Sequence, residues 1–412
     1  MNAKVKKKST VLFLVTAEYP FGRGETFIEN EIKILAGRFD KIYLLPQCRD
    51  ADSGRPLPGN VSIKKDLMSS SERLSKTLFG HFFYILKLLL IEFFHTPKRY
   101  YFLRHIKDVT AGLCVSISKS EAFRKMLNAE PESDSFFYSF WMDEGALAMS
   151  VLKDKNVIGD FVFRVLGYDL YDERRPGNYM PFRYINFKMT RKVFCISRDG
   201  LEYLQKKNLF PEKLSLSYLS VFDNGDNPPA SEARIRIVSC SNLIPLKRVG
   251  LIIDILEQVN VDLEWVHFGD GVLKPELMAR AQKLPVNIRS VFKGQTGNQD
   301  ILSFYKKEHV DVLIHLSETE GGAPVALQEA ASFGIPLIGT NAGGIPEIVN
   351  EETGMLLPLK VDIKQVAAVI NDFRKNKMNT GEFRVQTKKF WSENFNAEVN
   401  YSKLCDEIIN LK

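Results

Sequence analysis

Short apolar runs recur along this chain, each bounded by Gly, Pro, Asn or Asp, and helical spacing fills the stretches between them. Val11–Val15 and Ile42–Leu45 read as parallel strands, and Thr26–Ala36 between them as a helix, which makes a βαβ unit. Asp50–Asn60 is polar and rich in Gly and Pro, hence a loop, and residues 67–107 read as helical. Phe136–Phe140, Phe161–Leu166 and Val193–Ile196 are further strands separated by helices. Asp223-Asn-Gly-Asp-Asn-Pro-Pro-Ala230 is the clearest linker.

A second alternation follows the linker. It runs strand Ile235–Ser239, helix Val249–Gln258, strand Leu263–Phe268, helix Lys274–Lys283, strand Val291–Phe292, helix Gln299–Lys307 and strand Val310–Leu316. The last apolar run leads into a glycine-containing loop and a helix, and a further strand follows Gly334-Ile-Pro336. Strands this apolar are buried on both faces, as in parallel sheets. The pattern predicts an α/β chain of two Rossmann-like, doubly wound domains, residues 1–225 and 231–392, facing across a cleft. A C-terminal helix at 393–412 is expected to pack back on the first domain. The two halves share architecture but no short-period repeat.

Bulk properties narrow the function classes. A length of 412 residues suits two or three domains, and 45% hydrophobic with 26% charged residues is the composition of a folded chain. The net charge of +6 is too mild to point to nucleic acid, and an anionic substrate or membrane surface suits it equally well. Cys48, Cys114, Cys195, Cys240 and Cys405 are scattered without ligand spacing, so they read as reduced thiols of a cytoplasmic protein. Lys4–Lys8 followed by Val11–Val15 mimics a signal peptide. The apolar run is short and lacks a small-residue cleavage pattern, so a first strand is the expectation.

The most informative stretch is Ser317-Glu-Thr-Glu-Gly-Gly-Ala-Pro-Val-Ala-Leu-Gln-Glu329. It sets Glu320 and Glu329 either side of a glycine-containing turn that opens a helix. Helix N-termini offer unpaired N–H groups and a positive dipole end, which suit a diphosphate. Carboxylates accept hydrogen bonds from hydroxyls, which suits a ribose and a sugar. Together they describe a pocket for a nucleotide sugar.

These residues resemble the retaining glycosyltransferases of GT-B fold, specifically glycosyltransferase family 4. In the second half, Ser239-Cys-Ser-Asn-Leu-Ile-Pro-Leu-Lys247-Arg248 is similar to the family's first donor-side loop. His267-Phe-Gly-Asp-Gly271 is similar to its glycine turn, and Phe292-Lys-Gly294 to the loop beside the nucleobase. Asn341-Ala-Gly-Gly344-Ile-Pro-Glu347 is similar to the loop after the Glu-containing motif. The first half matches more loosely, through Tyr19–Glu31, Phe163-Arg-Val-Leu-Gly-Tyr-Asp-Leu-Tyr171 and Cys195–Gly200. Three departures stand out. The two glutamates are nine positions apart rather than the family's usual eight, so Gly321 or Gly322 is expected to bulge the loop. Asn242 stands where the family often has arginine, and Leu166 where it has histidine.

The resemblance implies roles. Lys247 neutralises the leaving diphosphate, Glu320 binds the transferred sugar and Glu329 the ribose hydroxyls. Gly321, Gly322 and Ala323 let backbone N–H groups approach the donor, with Asn242 and Gly269 on neighbouring loops. Arg248 is expected to be solvated. Gly22-Arg-Gly24 either closes on the diphosphate from the other domain, with Gly24 as a donor contact, or is a plain loop. Asp50-Ala-Asp52 has the look of a metal pair, but chance is the better reading. No cofactor and no metal are expected: a front-side attack, with the diphosphate oxygen taking the acceptor's proton, needs neither an enzyme nucleophile nor Mg²⁺.

Leu78–Phe94 is strongly apolar but interrupted by Lys87 and Glu92, and is flanked by Lys64, Lys65, Arg73, Lys76, Lys98, Arg99, Arg104 and Lys107. It suits either the interface of an anionic membrane or a core helix with basic neighbours. The expected partners are therefore a nucleotide sugar, a glycan or polyprenyl-diphosphate-linked acceptor, and peripheral contact with the inner face of the cell membrane. The rival readings are a catalytically weak relative serving as a binding subunit of a polysaccharide-assembly complex, and a sugar-nucleotide epimerase. A nicotinamide dehydrogenase is disfavoured because no Gly-x-Gly-x-x-Gly opens the first helix.

Overall fold

The computed structural model describes residues 9–22, 24–48, 54–68, 74–129, 134–230 and 234–411. The chain divides into two compact units. One comprises the chain up to Ser217 together with Tyr401 onward, and the other Tyr218–Asn400.

In the first unit, β1 (Thr10–Thr16), α1 (Ile28–Arg38), β2 (Lys41–Pro46) and β3 (Val61–Ile63) build one half of a sheet. Four helices follow: α2 (Leu74–Gly80), α3 (Phe82–His95), α4 (Arg99–Arg104) and α5 (Ile106–Asn128). The sheet resumes with β4 (Asp134–Ser139), α6 (Glu144–Asp154), β5 (Phe161–Val165), α7 (Arg183–Met189), β6 (Lys192–Cys195), α8 (Arg198–Lys206) and β7 (Leu214–Leu216). All seven strands are parallel, in the order β3-β2-β1-β4-β5-β6-β7. The order reverses between β1 and β4. At such a switch point the loops leaving two neighbouring strands turn opposite ways and open a crevice.

The helical stretch expected over 67–107 is broken into pieces and runs on to Asn128. α3 ends at His95 because Pro97 follows and biases the residue before it away from helix. The Ile85, Leu88 and Glu92 side of α3 is buried in a cluster with Phe102, Leu113 and Ile117. Its other side exposes Phe83, Leu86, Leu90 and Phe94, beside exposed Phe79 and Phe82. Among the described residues no single helix is long and apolar enough to cross a membrane; α2 and α3, bent by 91°, pass that test only together.

The second unit repeats the plan. β8 (Ile235–Cys240), α9 (Val249–Leu256), β9 (Leu263–Phe268), α10 (Lys274–Ala281), β10 (Ile288–Gly294) and α11 (Asn298–Lys307) precede β11 (Val312–His315). Then come α12 (Val325–Ser332), β12 (Leu337–Thr340), β13 (Gly354–Leu357), α13 (Ile363–Asn371) and α14 (Gly381–Phe395). The parallel order is β10-β9-β8-β11-β12-β13, with the reversal between β8 and β11. Alternate residues feed opposite cores: Val312 and Ile314 face one cluster, Leu313 the other. α15 (Ala397–Ile409) ends in the first unit, where Lys192 Nζ donates to its Glu407 at 2.6 Å. All five cysteines are free thiols.

Candidate functional site

The second unit's switch point brings two loops together. One leaves β8 at Cys240 and carries Lys247; the other leaves β11 at His315 and carries Glu320. The first is zipped to the glycine turn: Ser241 N–H donates to Phe268 O at 3.0 Å and Leu243 N–H to Asp270 O at 2.9 Å. A Cβ on Gly269, whose φ is +138°, would lie 1.9 Å from Ser241 O, so only glycine fits there. Gly269 thus supports the site by permitting this close approach.

Arg248 corrects the expectation of a solvated side chain. It sits in the left-handed region, φ +46°, between the turn that ends at Lys247 and the start of α9. Its guanidinium donates to Leu316 O at 2.7 Å, Leu359 O at 2.9 Å and Ser317 O at 3.4 Å. Glu318 N–H donates to Leu246 O at 2.9 Å. These bonds stitch the Lys247 loop to the Glu320 loop. The turn from Asn341 to Gly344 closes the other side: a Cβ on Gly343 would fall 2.0 Å from Glu320 O, and one on Gly344 2.2 Å from Gly322 C.

Lys247 Nζ donates to Glu320 Oε1, and His315 Nε2 lies 2.8 Å from the same oxygen. Burial works against the Glu320 charge, but His315 and Lys247 outweigh it and draw its pKa down to about 2. The carboxylate is therefore ionised throughout the physiological range. Gly321, Gly322 and Ala323 link Glu320 to α12, and neither glycine has a positive φ. The first N–H groups of α12 have no intrahelical acceptor. Asn242 is exposed on the Lys247 loop.

Glu329 lies on α12 and is buried, with Asn298 Nδ2 donating to its Oε1 at 2.6 Å. Burial raises its pKa to about 7, and the Asn298 bond only partly offsets that. Cys240 is close enough to sense both Glu329 and Lys247, and burial lifts its thiol pKa to about 12. The buried Tyr305 hydroxyl, near Cys240 and Glu329, has no hydrogen-bond partner. An ionised acid, a near-neutral acid, a lysine and helix N–H groups are thus gathered at one switch point.

Residues 224–390 match the family described as Glycosyl transferases group 1. This region is a group 1 glycosyl transferase domain. Over 254 residues the chain is 25% identical to the phosphatidylinositol N-acetylglucosaminyltransferase gpi3 subunit of Schizosaccharomyces pombe, covering 58% of this chain and 55% of that one. Over 229 residues it is 23% identical to the amylovoran biosynthesis glycosyltransferase AmsK of Erwinia amylovora, covering 53% and 56%. The chain thus spans about half the length of these relatives. The Anabaena HepE structure, solved with UDP and glucose, superposes with a TM-score of 0.64 at 14% identity, covering 98% of this chain and 100% of that one. That likeness is one of fold, and the α/β fold is of the GT-B class. Within the glycosyl transferase domain, Lys247, Glu320 and Glu329 all come from the elements built around the β8/β11 switch point.

Sequence reading passed over His315 and Asn298. His315 lies inside a run, Val310–Leu316, that is otherwise apolar apart from Asp311, and a buried imidazole in such a place needs a partner. Asn298 opens α11 after Gly297 and gave no comparable signal. Gly24 belongs to the other unit, where its N–H donates to Glu18 Oε1 at 2.5 Å. Leu166 is buried there. Asp50-Ala-Asp52 and Arg73 lie outside the described residues. Among the described residues no group of three or more His, Cys, Asp or Glu side chains is arranged around a metal site.

Proposed function

We propose that this chain is a retaining, metal-independent glycosyltransferase that moves a sugar from a nucleotide-sugar donor to a glycan or lipid-linked acceptor in surface polysaccharide synthesis. One observation carries the reading: Lys247 and Glu320 meet at the β8/β11 switch point of a group 1 glycosyl transferase domain, with Glu329 buried on the helix between. The relatives named for amylovoran biosynthesis and for phosphatidylinositol N-acetylglucosamine transfer support the acceptor class, and the UDP-and-glucose complex of HepE supports the donor class.

In this mechanism the bond from the anomeric carbon to the diphosphate oxygen breaks as the acceptor oxygen attacks from the same face. The acceptor's proton passes to the departing diphosphate. Lys247 and the α12 N–H groups neutralise the charge that grows on that leaving group, where a fixed cation is worth most. Glu320 accepts from the sugar's hydroxyls and Glu329 from the ribose. Loss of donor turnover in Glu329→Ala, with folding intact, tests the reading; unchanged turnover rejects it. A chelator is expected to leave the rate unaltered.

The acceptor falls to the first unit. Its β1/β4 switch point opens into a cavity of about 580 Å³ lined by Trp141, Asp143, Tyr168, Asp169 and Arg175, and such aromatic faces and carboxylates suit a sugar ring. The exposed aromatic side of α2 and α3, with Phe83 84% exposed and Lys76, Lys87, Lys98 and Arg99 nearby, is the peripheral contact with the cytoplasmic membrane face. Flotation with anionic liposomes tests this: the wild-type chain floats, and Phe83→Ser combined with Phe94→Ser stays at the bottom. The second reading, a binding subunit without turnover, is favoured by apolar Leu166 where the family has histidine. Such a subunit would bind a nucleotide sugar and release no product.

A further inference from the structure

His315 closes β11, its side chain nearly sealed from solvent. Its Nε2 and Lys247 Nζ both address a single atom, Glu320 Oε1. Glu320 Oε2 takes no hydrogen bond among the described residues. The two donors differ in what they can do next. Lys247 carries a compact charge on a flexible stem with three donors, so it can turn to or share itself with an incoming phosphate. The imidazole is short, and it is fixed to a strand end whose neighbours Val312, Leu313 and Ile314 are all buried core.

The arrangement creates a problem that only one of them can solve. When Lys247 engages a diphosphate, Glu320 loses its cation while still largely shielded from water, and an unpartnered carboxylate there would be costly or would turn away. We infer that His315 is a positioning residue: it pins Glu320 by Oε1, so that Oε2 stays presented to a hydroxyl of the transferred sugar while Lys247 serves the diphosphate. With Glu320 ionised, Nε2 carries the proton of that bond. This inference rests on the donor-site reading above and adds to it a division of labour between the two partners of one oxygen.

The test uses two polar replacements. His315→Gln places an amide N–H where Nε2 lies; His315→Asn places it where Nδ1 lies, too short to reach Glu320. UDP, GDP and ADP are first titrated calorimetrically into the wild-type chain. The kcat and KM for hydrolysis of UDP-glucose, GDP-mannose or ADP-glucose, whichever matches the base that binds, are then compared. H315N is expected to bind the nucleoside diphosphate within about threefold of wild type yet lose about tenfold or more in kcat, the signature of a contact made to the sugar and not to the nucleotide. H315Q is expected to recover kcat to within about threefold of wild type. Wild-type kcat in H315N overturns the inference. So does equal loss in H315N and H315Q, which would mean that the ring's shape matters and its bond does not. Failure of the donor reading itself shows separately, in the first titration, as no nucleotide binding to the unaltered chain.

Discussion

Each unit builds an ion pair from residues of its motif-like stretches, and the two pairs have opposite surroundings. In the first unit Arg164 on β5 meets Glu31 on α1 at 2.9 Å with both side chains 0% exposed. Tyr138 OH at 2.9 Å and Ser217 O at 2.5 Å take the rest of the guanidinium. Burial pushes the Glu31 pKa up while the arginine pulls it down. In the second unit Lys247 and Glu320 retain 18% and 15% side-chain exposure, and Glu320 Oε2 takes no hydrogen bond among the described residues. The first pair is sealed from solvent, so no ligand reaches it even though Glu31 Oε1 takes no hydrogen bond, and it acts as a bolt between strand and helix. The second can open. Charge in a motif is thus a poor guide to role until accessibility is known.

The sharpest way to break the comparison is Arg164→Met. It strands a buried carboxylate and is expected to cost about 3–5 kcal/mol, read by urea unfolding. A loss below about 1 kcal/mol would show that the pair is not the bolt described. Lys247→Ala inverts the profile: stability changes by about 1 kcal/mol or less, because His315 still holds Glu320. Turnover, however, falls by about 10²–10³ in kcat.

Glu329 supplies a pH test. Ribose hydroxyls donate to an ionised carboxylate, so nucleotide affinity is expected to weaken about tenfold from pH 8 to pH 6 around a pKa of about 7. Glu329→Gln flattens that dependence. Because the folded pKa lies above the ordinary 4.5, the folded state binds this proton more tightly than the unfolded chain. Wild-type stability relative to Glu329→Gln therefore falls as pH rises from about 4.5 to about 7 and is level above that. Glu320, with its lowered pKa, runs the other way: its contribution is present above about 4.5 and is lost as pH falls toward about 2.

A third ion pair supplies the smallest effect. Arg38 and Asp406 are 37% and 54% exposed, and Asp406→Ala is expected to shift stability by about 0.5 kcal/mol or less.

Much of the fold was legible because parallel strands buried on both faces announce themselves as apolar runs. Val11–Val15 is one such run, and all five of its residues are buried. The strands that escaped are β3, β7 and β13. β3 and β7 are three-residue edge strands with half-exposed side chains, and β13 is a four-residue edge strand with a mixed pattern, so periodicity has little to act on. At the site, Glu320 and Glu329 could be picked out because two carboxylates flank a glycine-containing turn that opens a helix, and Lys247 through the resemblance of its loop to the family's donor-side loop. Arg248 could not, since its role depends on a left-handed backbone and on carbonyls contributed by Leu316, Ser317 and Leu359, remote in sequence. His315 lay inside a run read only for hydrophobicity.

Calorimetric titration of UDP-, GDP- and ADP-sugars into the wild-type chain, Lys247→Ala and Glu329→Ala tests the central claim most directly. The account predicts that one of these sugars binds the wild-type chain and that each variant weakens it by about tenfold or more. Binding of equal strength in all three proteins, or none to the wild type, would contradict it.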